Sequence, residues 1–382
     1  MHEEEAELAR VVRDHAGRLA ASLVPLIGDF SAAEDLVADA VEAALRHWPA
    51  EGIPERPDAW LYTVARRRGL DAIRRRSRMP IPPWPVEARP DDRLRLIFTC
   101  CHPALPRAAQ VALTLRVVCG LTTAQIGSAF LVPESTIAQR ITRAKRKIAY
   151  AGIAYRIPAP EDLAARLREV LAVVYLLFNE GYRNQDLLAD DAHFLASMLH
   201  TLMPAEPEVT GLLALIRLHR ARRTRFDEHG EIVPLPDQDR SAWDHEAIAD
   251  AGRLIARAAA HRRPGPYQLQ AAIVACHAEA PTWADTDWPQ ILTLYDMLLY
   301  LAPSPVTRLH RAIALRYAEG PAAALASADG LRDALDGYHL LHATRAELLR
   351  DLGRHDEARR ADEQALARTT DPAERSLLQR RL

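Results

Sequence analysis

Residues 121–148 of this 382-residue chain read LTTAQIGSAFLVPESTIAQRITRAKRKI. Thr122 and Gln125 stand three residues apart, which is the spacing of a capping box at the start of a helix. Pro133 cannot lie inside a helix, so it ends this first helix and begins a second. The pattern predicts a helix-turn-helix, the motif that places its second helix in the major groove of DNA.

The second helix of this motif is apolar on one side and basic on the other. Its apolar residues recur at helical spacing, at Ile137, Ile141, Ala144 and Ile148. Five basic residues and no acidic one lie between Arg140 and Lys147, which is the surface that phosphate binding needs. Side chains near the helix start are expected to reach base edges, namely Ser135, Thr136, Gln139 and Arg140. Later ones are expected to hold the DNA backbone, namely Arg143, Lys145, Arg146 and Lys147. The alternative is an ordinary helical hairpin with a solvated basic face.

A second basic cluster lies upstream of the motif. Eight arginines stand between positions 56 and 78, against only Asp58 and Asp71. Apolar residues interleave with them at helical spacing, which predicts an amphipathic helix. Its arginines are candidates for nucleic-acid contact, among them Arg66, Arg67, Arg74 and Arg75. If exposed, the rings of Trp60 and Tyr62 could stack on unpaired bases. The alternatives are a core position for Trp60 and a solvated face for the arginines.

Residues 31–45 form an acidic amphipathic segment with candidate contact residues Asp35, Leu36, Asp39 and Glu42. An acidic face is unsuited to DNA because phosphate is also negative. The segment therefore indicates either a protein partner or a solvated surface.

The composition of the chain and the positions of its prolines limit the possible fold class and domain boundaries. The formal net charge is −2, so the basic charge is clustered rather than spread over the chain. Strand patterns are almost absent, which predicts an all-α fold. Proline-rich stretches divide the chain into domains at 1–78, 92–152 and 161–382, joined by linkers at 79–91 and 153–160. An acidic start and the lack of a long apolar run predict a cytoplasmic protein that does not contact a membrane.

The sequence gives little support for a catalytic site or a metal site. Cys100, Cys101 and His102 are adjacent, but no second spaced cysteine pair accompanies them, so buried thiols are the favoured interpretation. Glu180 lies near other acidic residues that follow no known metal-loop pattern. Neither a phosphate-binding glycine loop nor a nucleophile elbow is present in the sequence. We therefore expect no enzyme, no cofactor and no metal. The rival hypotheses are a repeat-based adaptor protein and a metal-dependent enzyme that uses these residues.

Two basic helical modules on either side of a proline-rich linker resemble a sigma factor of the extracytoplasmic-function type. Residues 34–48 resemble the region-2 helix that docks on the clamp of core RNA polymerase. Residues 57–75 resemble the helix that recognises and melts the −10 promoter element. The helix-turn-helix resembles region 4, which reads the −35 element.

The resemblance extends to a subgroup with a large C-terminal helical extension. Its signatures are Leu96–Leu105 and Leu176–Tyr182, and the extension resembles tetratricopeptide repeats. The clearest repeat is Leu341–Leu366, where small residues let two helices pack closely. The resemblance implies core polymerase and promoter DNA as partners. It also suggests that the C-terminal domain binds a protein or peptide and regulates the factor.

Overall fold

The structure is a computed structural model that describes residues 19–20, 23, 27, 30–76, 90–119, 121–130, 132–153, 155–184, 188–222, 226–227 and 231–382. The predicted all-α fold is confirmed. In these ranges the regular structure consists of α-helices and two short 3-10 helices. One antiparallel bridge joins Phe226 to Ile232, and no longer strand is found in these ranges.

The chain forms two compact units, Met1–Leu202 and Met203–Leu382. The helices of the first unit are α1 (Phe30–Glu51), α2 (Pro57–Arg76), α3 (Pro90–Cys100), α4 (Arg107–Val117), α5 (Thr123–Ala129), α6 (Glu134–Tyr150), α7 (Pro160–Asn184) and α8 (Leu188–Leu202). Helices α1 and α2 pack against each other around a core that contains Val37, Trp48 and Leu61. Helices α5 and α6 pack on α4 and on each other.

The proline-rich linker predicted at 79–91 lies outside the described residues, apart from Pro90 and Asp91, which belong to α3. The segment after α6 approaches the first two helices, because Tyr155 packs against the apolar core of α1 and α2.

Helices α7 and α8 form a hairpin that belongs to the first unit. Arg107 of α4 forms an ion pair of 2.7 Å with Glu169 of α7. Arg166, also on α7, donates a hydrogen bond to the carbonyl oxygen of Phe98. The sequence boundary at 161 did not anticipate these contacts, since a proline break marks where a helix starts and not what it packs against.

The second unit contains α9 (Pro207–Ala221), α10 (His245–Ala260), α11 (Pro266–Glu279), α12 (Trp288–Leu301), α13 (Pro305–Ala318), α14 (Pro321–Asp329), α15 (Arg332–Leu335), α16 (His339–Asp351), α17 (His355–Leu366) and α18 (Pro372–Gln379). Successive helices pack on one another along the chain, which is the arrangement expected of a helical-repeat domain. In the hairpin of α16 and α17, Ala346, Ala358 and Ala365 are buried. Gly353 turns the chain between these helices with a φ of 74°, a conformation that favours glycine.

Gly181 allows the close approach of α7 and α8. A Cβ atom at this position would lie 2.2 Å from the backbone nitrogen of Ala189 in α8. Backbone atoms cannot rotate away as a side chain can, so only glycine fits without moving one helix.

We expect Gly181→Ala to lower the melting temperature, although alanine is intrinsically favoured over glycine in a helix by about 1 kcal/mol. The steric cost of overpacking, about 1–3 kcal/mol, should outweigh that preference. Gly337→Ala is the matched control, because a Cβ there would meet no atom within 4 Å. Calorimetry of the two variants checks this, and a Gly181→Ala melting temperature equal to or above that of the native protein would contradict it.

Candidate nucleic-acid interface

The first helix of the helix-turn-helix begins with the predicted capping box. The amide of Thr122 donates to Oε1 of Gln125 at 2.8 Å, and the amide of Gln125 donates to Oγ1 of Thr122 at 3.1 Å. Each side chain thus satisfies a backbone N–H that a helix start would leave unpaired. The predicted start of this helix is confirmed.

The turn between the two helices is held by a hydrogen bond and by a tight backbone contact. Pro133 directly precedes α6, as predicted, and the Thr123 hydroxyl donates to Glu134 across the turn at 2.6 Å. A Cβ atom on Gly127 would lie 2.7 Å from the carbonyl oxygen of Val132. Sequence reasoning missed Gly127; the signal was a glycine inside the short helix that precedes Pro133.

Helix α6 separates its apolar and basic residues as predicted. Its four buried residues are Ile137, Ile141, Ala144 and Ile148. Of the proposed −35 contact residues, Ser135, Gln139, Arg143 and Lys147 are exposed, whereas Thr136 and Arg140 are half-buried. The apolar face anchors the helix while the polar residues remain on its other sides.

Arg140 lies beside the hairpin that follows the helix-turn-helix. It lines a cavity of about 400 Å³ together with Phe130, Ile137 and, from α7, Leu176 and Glu180. The residue proposed to read bases therefore shares a groove with the start of the C-terminal extension.

Helix α2 carries the proposed −10 residues. Trp60 is half-buried, and its ring meets that of Trp48 edge-on at a centroid distance of 5.6 Å. Arg66 is half-buried and Arg67 is exposed, whereas the side chains of Arg74 and Arg75 are outside what the structure describes.

Tyr62 does not meet the condition of exposure on which base stacking depends. It is only 5% exposed and lies in the core formed with α1. Helical periodicity places Trp60 and Tyr62 on different sides of α2 but does not tell which of the two rings faces the core. A ring this deeply buried is not available to stack on a base.

Helix α1 presents most of its acidic residues to solvent. Asp35, Asp39 and Glu42 are exposed, whereas Leu36 is half-buried against the core. Asp39 forms an ion pair of 3.2 Å with Arg68 of α2. The acidic face is therefore partly neutralised by the basic helix beside it.

A buried ion pair joins α1 to α6. Glu34 of α1 contacts Lys145 of α6, and their side chains are only 15% and 21% exposed. Burial raises the pKa of Glu34 above its usual value, although Lys145 opposes the shift. Burial therefore offsets part of the attraction between the two side chains, as in other buried pairs whose net contribution to stability is small. Lys145, expected to hold DNA backbone, is engaged within the protein.

The cysteine cluster has the features of a structural core. Cys100 and Cys101 are buried, and Sγ of Cys101 lies 3.5 Å from the Thr114 hydroxyl. Burial raises the pKa of Cys101 to about 11 and that of Cys100 well above its usual value, which suppresses the thiolate that metals and electrophiles require. Nδ1 of His102 accepts a hydrogen bond from the amide of Ala104. No group of three or more possible metal ligands occurs within the described part of the chain.

Models of known protein families match three successive parts of the chain. The model of sigma-70 region 2 matches residues 11–79, and that of sigma-70 region 4 matches residues 95–148. A family of unknown function, DUF6596, matches residues 166–259. The chain belongs to the sigma-70 family. It is an extracytoplasmic-function-like sigma factor with a C-terminal extension.

One relative extends the likeness over nearly the whole chain. It is the uncharacterized protein R00370 of Rhizobium meliloti (strain 1021), 44% identical over 376 residues, which cover 92% of this chain and 89% of the relative. No solved structure matches this sigma factor.

The family assigns the general function. This protein is a sigma factor for promoter recognition and transcription initiation, and its two sigma regions imply binding of core RNA polymerase and promoter DNA. Members of the family are initiation factors and not enzymes. Among the described helices, none is both long and apolar enough to cross a bilayer.

The Glu34–Lys145 contact predicts that one substitution can weaken the association between region 2 and region 4. Glu34→Gln keeps the side-chain shape but leaves the Lys145 ammonium without its counter-charge, which destabilises a buried pair. We expect spin labels at positions 45 and 150, whose native side chains are 50% and 96% exposed, to show a longer and broader distance distribution.

Glu42→Gln on the same helix is the matched control for this measurement. Glu42 pairs with Arg46 in an exposed position, where an ion pair contributes little. Identical distance distributions for the native protein and Glu34→Gln would contradict a role of this pair in holding the two regions together.

Proposed function

We propose that this sigma factor binds the −35 promoter element through the outer face of α6. The observation that carries this proposal is the basic, solvent-facing side of a helix whose opposite side is anchored in the helix-turn-helix core. Ser135, Thr136, Gln139 and Arg140 would contact base edges near the helix start. Arg143 and Lys147 would hold phosphates and fix the position of the helix in the groove.

We further propose that α2 binds the −10 element. Arg66, Arg67, Arg74 and Arg75 would contact the DNA backbone, and Trp60 would stack on an unpaired base. Trp60 is half-buried against Trp48, so one edge of the indole is fixed while part of it remains accessible. Binding should depend steeply on salt, since each phosphate contact releases counterions.

The acidic side of α1 is the proposed docking surface for the clamp of core polymerase. Asp35, Asp39 and Glu42 are exposed along this helix, and Leu36 lies beside them. An acidic helix suits a basic protein surface through electrostatic complementarity. Action on polymerase would place the protein in the cytoplasm, in agreement with the expectation from the sequence.

We expect Arg140→Ala and Arg143→Ala each to reduce transcription from a −35-dependent promoter by about tenfold or more, because a good base or phosphate contact contributes about 1–3 kcal/mol. Affinity for core polymerase should not change, since neither residue lies on α1. Reconstituted transcription and a polymerase binding assay measure the two effects.

Arg168→Ala is the matched control, because Arg168 is an exposed arginine on α7 outside the proposed interface. A promoter with a scrambled −35 element supplies the second control. If native protein and both variants transcribe the intact and scrambled promoters equally, the −35 assignment fails.

The C-terminal extension is proposed to regulate the sigma regions. Support comes from α7, which contacts region 4 through Arg107–Glu169 and Arg166–Phe98 and lines the groove beside Arg140. A movement of α7 would change the surroundings of α6. The extension would then hold the sigma regions in an inactive or an active arrangement without a separate regulatory protein.

We expect a protein ending at Leu202 to differ from the full chain by at least about fivefold in promoter-directed transcription, the lower end of common allosteric couplings. This cut keeps α7 and α8 on region 4 and removes only the second compact unit. A rise in activity would identify the second unit as a restraint, and a fall would identify it as a required support. Unchanged activity together with unchanged polymerase affinity would rule out regulation by the second unit.

A further inference from the structure

The second compact unit contains a cavity of about 470 Å³. Residues of α11, α12, α13, α16 and α18 line it, together with the segment 234–236, Trp283 between α11 and α12, and Arg381 after α18. Small-molecule sites typically have volumes of about 300–1,000 Å³, mostly apolar walls and a few placed polar groups. The lining has each of these properties.

One wall of the cavity is a cluster of aromatic rings. Trp288 and Tyr317 are stacked with a centroid distance of 4.1 Å and an interplanar angle of 17°. Trp283 meets both rings edge-on, at 5.0 Å and 5.4 Å. Such rings hold one another in place and present rigid apolar surface, which favours a planar aromatic ligand.

The polar end of the cavity is organised around one carboxylate. Glu347 accepts from Arg316 through Oε2 at 2.7 Å and from Arg381 through Oε1 at 2.8 Å. Arg316 also donates to Asp351 at 2.6 Å. The contact of Arg381 is made through Nη2, and a guanidinium carries five N–H donors. Arg381 can therefore donate to a further acceptor in the cavity.

The charges around this polar end compensate one another. Among the charged side chains that line the cavity, two guanidinium groups, Arg316 and Arg381, are matched by two carboxylates, Glu347 and Glu374. Burial, with help from nearby Arg222 and Arg240, lowers the pKa of His277 to about 4. That ring is therefore uncharged near neutral pH. A ligand charge buried here would lack a counter-charge, which is costly.

We propose that this cavity binds a small, uncharged, planar aromatic molecule that carries a hydrogen-bond acceptor. The ring would contact Tyr317 and Trp288, and the acceptor would receive a hydrogen bond from Arg381. The site goes beyond the promoter-binding function and does not depend on it.

Three probes with the same ring separate the parts of this proposal. Indole-3-acetamide is uncharged and carries a carbonyl acceptor, indole-3-acetate is an anion and tryptamine is a cation. We expect saturable binding of indole-3-acetamide to the full chain in calorimetry. The two charged probes should bind at least about tenfold more weakly because their charge would be buried without compensation.

Two variants with matched controls locate the site. Tyr317→Leu and Arg381→Gln should each weaken indole-3-acetamide binding at least about fivefold. Tyr300→Leu and Arg354→Gln should leave it unchanged, since Tyr300 is 88% exposed and Arg354 pairs with Glu357 in an exposed position away from the cavity lining. Circular dichroism verifies folding, and Arg381→Gln retains the test if Tyr317→Leu unfolds.

The proposal is overturned by any of three results. The first is no saturable binding of indole-3-acetamide up to about 5 mM, a concentration well above weak ligand affinities. The second is equal affinity for all three probes. The third is equal affinity of the native protein and both cavity variants. Neither polymerase nor promoter takes part, so failure here is distinguishable from failure of the proposed function.

Discussion

The apolar stripe on α6 is the constraint on which the DNA-binding half of this sigma factor depends. Burying Ile137, Ile141 and Ile148 removes side chains from water that each contribute about 1.5–3 kcal/mol when fully buried. Because the stripe fixes the rotation of the helix about its own axis, it also fixes which side chains point away from the core. The basic face is therefore a consequence of the hydrophobic one, and a shift of one residue would turn arginine inward and isoleucine outward.

The distribution of charge is a second constraint on the basic surfaces of the protein. The protein has a net charge of −2, so its basic surfaces exist only because acidic residues are kept elsewhere or paired. Glu34 of α1 forms an ion pair with Lys145 of α6. Since desolvation of Glu34 offsets much of this attraction, the contact can hold two regions together and still open at modest cost.

The sequence predicted features that are local along the chain and missed those that depend on distant partners. Helical spacing and Pro133 were sufficient to place the two helices and the buried face of α6. The burial of Tyr62 was not predictable, because Trp60 and Tyr62 lie on different sides of the helix and the sequence does not tell which of them faces the core. The Glu34–Lys145 contact and the close approach at Gly181 were equally inaccessible. They join segments whose proximity is set by tertiary packing, for which a single sequence carries no spacing signal.

The pairing of Asp39 with Arg68 has a consequence for the order of assembly. Asp39 lies on the proposed polymerase-docking helix, and Arg68 lies on the proposed −10 helix. If a basic group of polymerase takes this carboxylate, the guanidinium is released and becomes available to a phosphate. By thermodynamic reciprocity, DNA affinity would then rise when polymerase is bound, and polymerase affinity would rise by the same factor on DNA. One shared carboxylate would thus discourage the factor from occupying promoters alone.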